Sequence, residues 1–209
     1  NCKFYSSLQF ITLTILLLKI ILFIEEQFDT LDINIFIIMK TLTYLYLQNP
    51  FKNLKKTPSE SKAETTLMML PSDANPKGNV FGGVILKHVD LIAGIVAKRH
   101  ANQSNVVTAS IDRMTFIRPI FIGNSLILEA RLNYVKRSSM EIEVNIFAED
   151  LDYNLRVHAG RAYVTSVSID KYGKSMEVPQ LLLETEDDKK RFKEGEARMI
   201  SRLKEAGKL

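Results

Sequence analysis

Cysteine is nearly missing from this chain of 209 residues. Cys2 is the only one, so no internal disulfide can close and no cysteine-based zinc site can be built. Histidine is scarce too. His88, His100 and His158 lie far apart, without the spacing of metal ligands. Charge of one sign is not in excess: a net +4 does not mark a nucleic-acid binder. The one long apolar run, residues 10–24, is broken by Lys19 and falls short of the ~20 residues that a spanning helix needs. Lys3 precedes it as in a signal peptide, but Glu25-Glu26-Gln27 follows instead of small residues suited to cleavage. The first methionine is Met39. The expectation is that residues 1–38 are translated upstream sequence, with a membrane-associating segment or a processed signal as alternatives. No internal repeat is visible.

What the chain does have is the composition of an ordinary globular protein, 46% hydrophobic and 25% charged. Residues 48–64 are polar with two prolines and read as a linker, so residues 1–63 form an extension ahead of one domain over 64–182. Residues 65–70 suggest a short strand, stopped by Pro71. A loop rich in Pro, Asn and Gly runs to Gly83. Residues 84–100 then predict a helix that is apolar nearly all round, which implies burial. Strands follow. Residues 106–116 are rich in Val, Thr and Ile. Residues 126–134 alternate, and from Met140 to Ala148 apolar residues alternate with Glu141, Glu143, Asn145, Phe147 and Glu149, predicting a strand with one wet face. A last long strand spans 157–169, with Gly160 as a candidate bulge. Residues 183–209 predict a charged helix, with Thr185 and Asp188 as a capping box and Gly207 as its stop. The order implies an α+β domain: an antiparallel sheet curled around one central helix, plus a C-terminal helix.

Several ordered motifs then narrow the reading. They are Leu70-Pro-Ser-Asp-Ala-Asn-Pro-Lys-Gly-Asn-Val-Phe-Gly-Gly83, Lys87-His-Val-Asp-Leu-Ile-Ala-Gly94, Val106-Val-Thr-Ala-Ser110, Phe116-Ile-Arg-Pro119, Arg137-Ser-Ser-Met-Glu141, Val178-Pro-Gln-Leu181 and the run from Glu184 to Gly195. Over about residues 64–209 the chain resembles the hotdog-fold acyl-CoA hydrolases, both bacterial short-chain members and the two-domain mammalian cytosolic enzyme. The resemblance implies a hotdog fold and hydrolysis of acyl-CoA to a fatty acid and coenzyme A. It also implies a cytoplasmic homo-oligomer, at least a dimer and by analogy a trimer of dimers. Coenzyme A enters as part of the substrate; no cofactor, metal or nucleic acid is implied, and membrane contact through the N-terminus stays open.

Asp90 is the leading candidate. A carboxylate on a nearly all-apolar helix is costly unless it is paired or faces a cleft, and thioester hydrolysis needs a base or a nucleophile. On spacing alone it could equally lie on a wet stripe with Lys87 and Gly94. The family's active-site Asp falls at this position. Asn75 reads first as a turn residue before Pro76. The resemblance gives it an active-site role, from the partner subunit, with Asn79 as the nearby competitor. Gly82 and Gly83 offer free amides at a positive helix start, suited to an oxyanion; close packing is the alternative. Thr108 matches a family site residue or serves only β propensity. Lys136, Arg137, Ser138 and Ser139 could hold coenzyme A phosphates or form a solvated hairpin, and Arg161 is a weaker candidate. A hotdog hydratase would need a His paired with an acid, which the loop lacks. A non-catalytic acyl-CoA sensor is the runner-up, against which stands the presence of both Asn75 and Asp90.

Overall fold

The computed structural model describes residues 55–103 and 105–207. The apolar run at 10–24 and the choice of Met39 as a start lie outside the described residues. Residues 55–63, expected to be linker, are folded: strand β1 (Lys55–Lys56) and a 3-10 turn (Pro58–Glu60) lead into β2 (Ala63–Met68). A second 3-10 turn (Pro71–Asp73) opens the loop before helix α1 (Gly82–Ala101). Then come β3 (Val106–Phe116), β4 (Ser125–Lys136), β5 (Ser139–Asp150), β6 (Leu155–Ser168), the two-residue β7 (Gln180–Leu181) and helix α2 (Glu186–Glu205).

Five strands form one antiparallel sheet in the order β2-β4-β5-β6-β3. The expected α+β hotdog architecture is what forms. Because strand side chains alternate, one face of β5 supplies Met140, Ile142, Val144 and Ile146 to the core. Against it α1 lays Val89, Ile92, Ala93 and Val96, all buried. Each such aliphatic side chain contributes about 1.5–3 kcal/mol on burial.

The far end of α1 is fixed by contacts distant in sequence. Asn102 adopts the left-handed conformation (φ 53°) that stops the helix. Lys56 Nζ, carried by β1, donates to the carbonyls of Arg99 (2.7 Å) and His100 (3.1 Å), caught where the helix leaves carbonyls unpaired. His100 is fully buried between Ser61 and Pro179. Its Nε2 lies 2.7 Å from the Pro179 carbonyl, which can only accept, so Nε2 carries the proton and Nδ1 accepts from Ser61 Oγ at 3.2 Å. Burial pushes the His100 pKa down to about 4.

Two expectations about exposure change. The polar face of β5 is not wet: Glu141 and Glu143 are 3% and 1% exposed, because α2 lies over them. Arg198 pairs with Glu141 at 2.8 Å and Arg191 with Glu143 at 2.6 Å. The capping box of α2 forms as expected, with Asp188 N donating to Thr185 Oγ1 and Thr185 N to Asp188 Oδ2, each at 3.0 Å. Conversely, α1 is not covered all round. Leu91 and Ile95 remain 54% and 46% exposed.

Gly160 has a clear reason. A Cβ there would lie 2.4 Å from the Thr115 carbonyl, so β3 and β6 approach too closely for any side chain. The register break on β6 falls beside it, where Ile146 pairs with Gly160 but Phe147 with His158.

Candidate active site

Asp90 sits in the middle of α1, half-buried, between the buried Val89 and the exposed Leu91. Thr108 on β3 donates its hydroxyl to Asp90 Oδ1 at 2.6 Å. That bond orients the carboxylate and leaves Oδ2 without a protein partner among the described residues. Thr108 therefore does more than favour a strand. The register of β3 against β6 shifts between Thr108 and Ser110, and a bulge of this kind re-aims the neighbouring side chains.

Asn75 lies elsewhere. Its backbone N–H donates to the Asn79 carbonyl (2.7 Å), and its side-chain Oδ1 accepts from the N–H groups of Lys77 (2.8 Å) and Asn79 (3.3 Å). The turn chemistry of an Asn before Pro is thus real, but it uses only the oxygen. The carboxamide NH2 has no partner among the described residues, and Asn75 lines a cleft of about 390 Å³ together with Asn79, Gly82, Phe116, Arg118 and Ile120. Asn79 lines the same cleft, and its backbone pairs with Phe121 to close the loop, so it stays beside Asn75 as the competing candidate.

Gly82 and Gly83 open α1 after Phe81, which provides no side-chain cap. Their amides, in the first turn, have no carbonyl to bond within the helix. A Cβ on Gly82 would meet only the Phe116 ring at an ordinary 3.6 Å. One on Gly83 would lie 2.4 Å from the exposed Phe81 ring, so a side chain there would require that ring to move.

Two half-sites result within one protomer: Asp90 with Thr108, and Asn75 with the start of α1. Asp90 and Thr108 do not line the Asn75 cleft. At 1.5 Å per residue, Gly82 and Asp90 are about 12 Å apart along the helix.

The connection Lys136 to Ser139 is a tight hairpin, with Arg137 in the left-handed region (φ 51°) and Lys136 paired with Ser139. Ser138 is buried, and its carbonyl accepts from Ser168 N; Arg137 Nη2 donates to Ser175. Lys136 and Arg137 are the exposed cations of this turn. Arg161 Nε donates to Asn145 Oδ1 at 3.0 Å and lies within ion-pair distance (3.0 Å) of Glu143 Oε1. Phe116 to Ile120 also line the Asn75 cleft; the motif Phe116-Ile-Arg-Pro119 carries part of the resemblance, but no site role was expected for it.

A curled antiparallel sheet packed on an axial helix with a carboxylate midway along it defines a hotdog domain. Residues 77–155 match the family model of the thioesterase superfamily. The cytosolic acyl coenzyme A thioester hydrolase of Mus musculus is 42% identical over 154 residues, which are 73% of this chain and 39% of that protein. The chain thus spans about two fifths of the length of the mammalian relatives it matches. An apo-hexameric acyl-CoA thioesterase superposes with a TM-score of 0.70 at 35% identity, over 73% of this chain and 97% of the other. The acyl-CoA hydrolase of Staphylococcus aureus, in complex with butyryl coenzyme A, coenzyme A and coenzyme A disulfide, gives 0.68 at 34%, over 73% and 92%. Further structures of that hydrolase carry alanine in place of an Asn, of an Asp fifteen residues later and of a Thr seventeen beyond the Asp. The chain belongs to the thioesterase superfamily.

Proposed function

We propose that the protein hydrolyses acyl-CoA thioesters to a fatty acid and coenzyme A, in the cytoplasm, at sites shared between two copies of the chain. The observation that carries this reading is the Asp90–Thr108 hydrogen bond, which fixes a carboxylate with one oxygen free, while Asn75 lines a separate cleft that neither of those residues enters. Asp90 and Asn75 are fifteen residues apart, as are the Asp and Asn replaced in the S. aureus hydrolase; the Thr follows by eighteen here and by seventeen there.

In the mechanism, Asp90 Oδ2 takes a proton from water as the oxygen attacks the thioester carbon. The Thr108 hydroxyl holds the carboxylate in place. The NH2 of the partner's Asn75 and the amides at the start of its α1 stabilise the oxyanion. Collapse of the tetrahedral intermediate breaks the carbon–sulfur bond and expels the coenzyme A thiolate, which takes the proton back from Asp90, so the free thiol and the fatty acid leave with the base regenerated. Lys136 and Arg137 are exposed cations suited to the nucleotide phosphates.

The unpaired edge supports assembly. β3 is an eleven-residue edge strand that carries the exposed Val107, and Leu91 and Ile95 are exposed on α1. Long unprotected edges pair with another chain. Edge-to-edge pairing of two β3 strands would cover this apolar strip and bring the half-sites together, and three such dimers would make a hexamer.

Thiol release from acyl-CoAs of graded chain length tests the activity. Asp90→Asn should lower kcat by at least about 10²-fold, the usual contribution of a general base. Near-normal turnover in that variant would remove Asp90 from the role. No release from any chain length, with coenzyme A still bound, would make the protein a binding module.

A further inference from the structure

The sheet's outer face carries a second cleft, of about 330 Å³, lined by Arg113, Thr115, Ile117, His158, Arg161 and Tyr163. No acidic residue lines it. Its floor is a two-by-two grid across the β3–β6 pair: Arg113 stands opposite Tyr163, and Thr115 opposite Arg161. Arg113 and Arg161 are therefore diagonal neighbours on this face, with Cβ atoms about 7–8 Å apart or less.

Like charges so placed repel unless an anion lies between them, and the nearby carboxylates are already engaged. A register shift between Ile111 and Arg113 puts Asp112 and Arg113 on the same face of β3. Asp112 accepts from Ser110 (2.5 Å), Thr165 (2.9 Å) and Arg202. Glu143 accepts from Arg191 and lies 3.0 Å from Arg161 Nε, whose N–H donates to Asn145, while Arg161 Nη1 reaches the cleft residue Tyr163. Arg113 has no hydrogen bond or ion pair among the described residues. The Thr115 hydroxyl is likewise without a partner, and His158 Nε2 is buried and unpaired.

We propose that this cleft binds a phosphate-bearing small molecule, with Arg113 and Arg161 as the cationic pair and Thr115 as a hydroxyl donor. The guanidinium fork suits bidentate contact with phosphate oxygens. The volume is that of a small-ligand site. Strand side chains stand perpendicular to the sheet, so pairing of β3 along its edge would leave this face open. Ile117 lines both this cleft and that of Asn75, so the phosphate could belong to the nucleotide of an acyl-CoA or to a separate ligand.

Binding of inorganic pyrophosphate to the full chain, measured by calorimetry at constant ionic strength, tests this without any turnover and so independently of the hydrolase reading. Arg113→Ala, which disturbs no observed contact, should weaken binding at least about tenfold, the effect of losing a charged hydrogen bond. Lys98→Ala removes the same charge from exposed α1 and should leave binding unchanged. Equal losses in both variants, or no binding by the parent protein, would overturn the site. With the site upheld, displacement of pyrophosphate by coenzyme A assigns the phosphate to the thioester's nucleotide, and failure of displacement assigns it to a separate ligand.

Discussion

Helices α1 and α2 each have twenty residues and lie on opposite faces of one sheet, yet they are held by different forces. α1 presses Val89, Ile92 and Val96 against Leu128, Ile142, Val144 and Val164, and no charged side chain enters that layer. α2 meets the other face through Arg131–Asp188, Arg191–Glu143, Arg198–Glu141 and Arg202–Asp112, with Tyr134–Phe192 as its aromatic contact. The one carboxylate in the middle of α1, Asp90, is half-buried and commits one oxygen to Thr108. Ion pairs, in contrast, specify position more than they stabilise. Taking Glu141 out of water costs energy, and burial pushes its pKa up despite Arg198. A tight approach adds to the specification: a Cβ on Gly195 would lie 2.8 Å from both Glu141 and Tyr134.

The two layers should therefore respond differently to substitution. The largest loss is expected at α1: Ile92→Ala, at a site 2% exposed, should cost about 2–5 kcal/mol by denaturant unfolding. Next is acid. The His100 pKa is depressed in the folded state, so the unfolded chain takes up a proton first as the pH falls. The stability due to its neutral form is complete above about pH 6.5 and is lost progressively down to about pH 4, a total of about 3 kcal/mol. His100→Gln should flatten that pH dependence. At α2, Arg198→Ala strands the buried Glu141 and should cost about 2 kcal/mol, reduced from the fully buried case because Arg198 is 27% exposed. The double replacement of Arg198 and Glu141 by Met should recover most of that loss, which would separate specification from stabilisation. The smallest change belongs to the exposed Lys189–Glu186 pair, where Lys189→Ala should shift stability by under about 0.5 kcal/mol. If Arg198→Ala proved costlier than Ile92→Ala, the contrast between the layers would fail.

Local pattern carried much of this arrangement. Period-2 alternation marked β5, and Thr185, Asp188 and Gly207 marked the ends of α2. What escaped was set by partners distant in sequence. The wet face expected for β5 is dry because α2, some forty residues later, covers Glu141 and Glu143. Residues 55–63 looked like linker because their structure depends on the end of α1, which Lys56 and Ser61 reach. The bulges in β3 follow from its pairing with β6, which no local signal of β3 encodes. At the candidate site, the chemistry of Asp90 was visible as an acid in an apolar helix, but its bond to Thr108 requires knowing which strand neighbours α1. Asn75 read locally as a turn residue. It is one, and its uncommitted NH2 appears only when the hydrogen bonds of the turn are traced.

The proposed active site is made by two chains. Mixing inactive Asn75→Ala and Asp90→Ala proteins, with subunit exchange confirmed by mass spectrometry, tests it directly. Random reassortment into two-fold dimers should give sites with both residues intact and restore thiol release to about a quarter of the parent value. Exchange without any recovery of activity would contradict a shared site and place the chemistry within a single protomer.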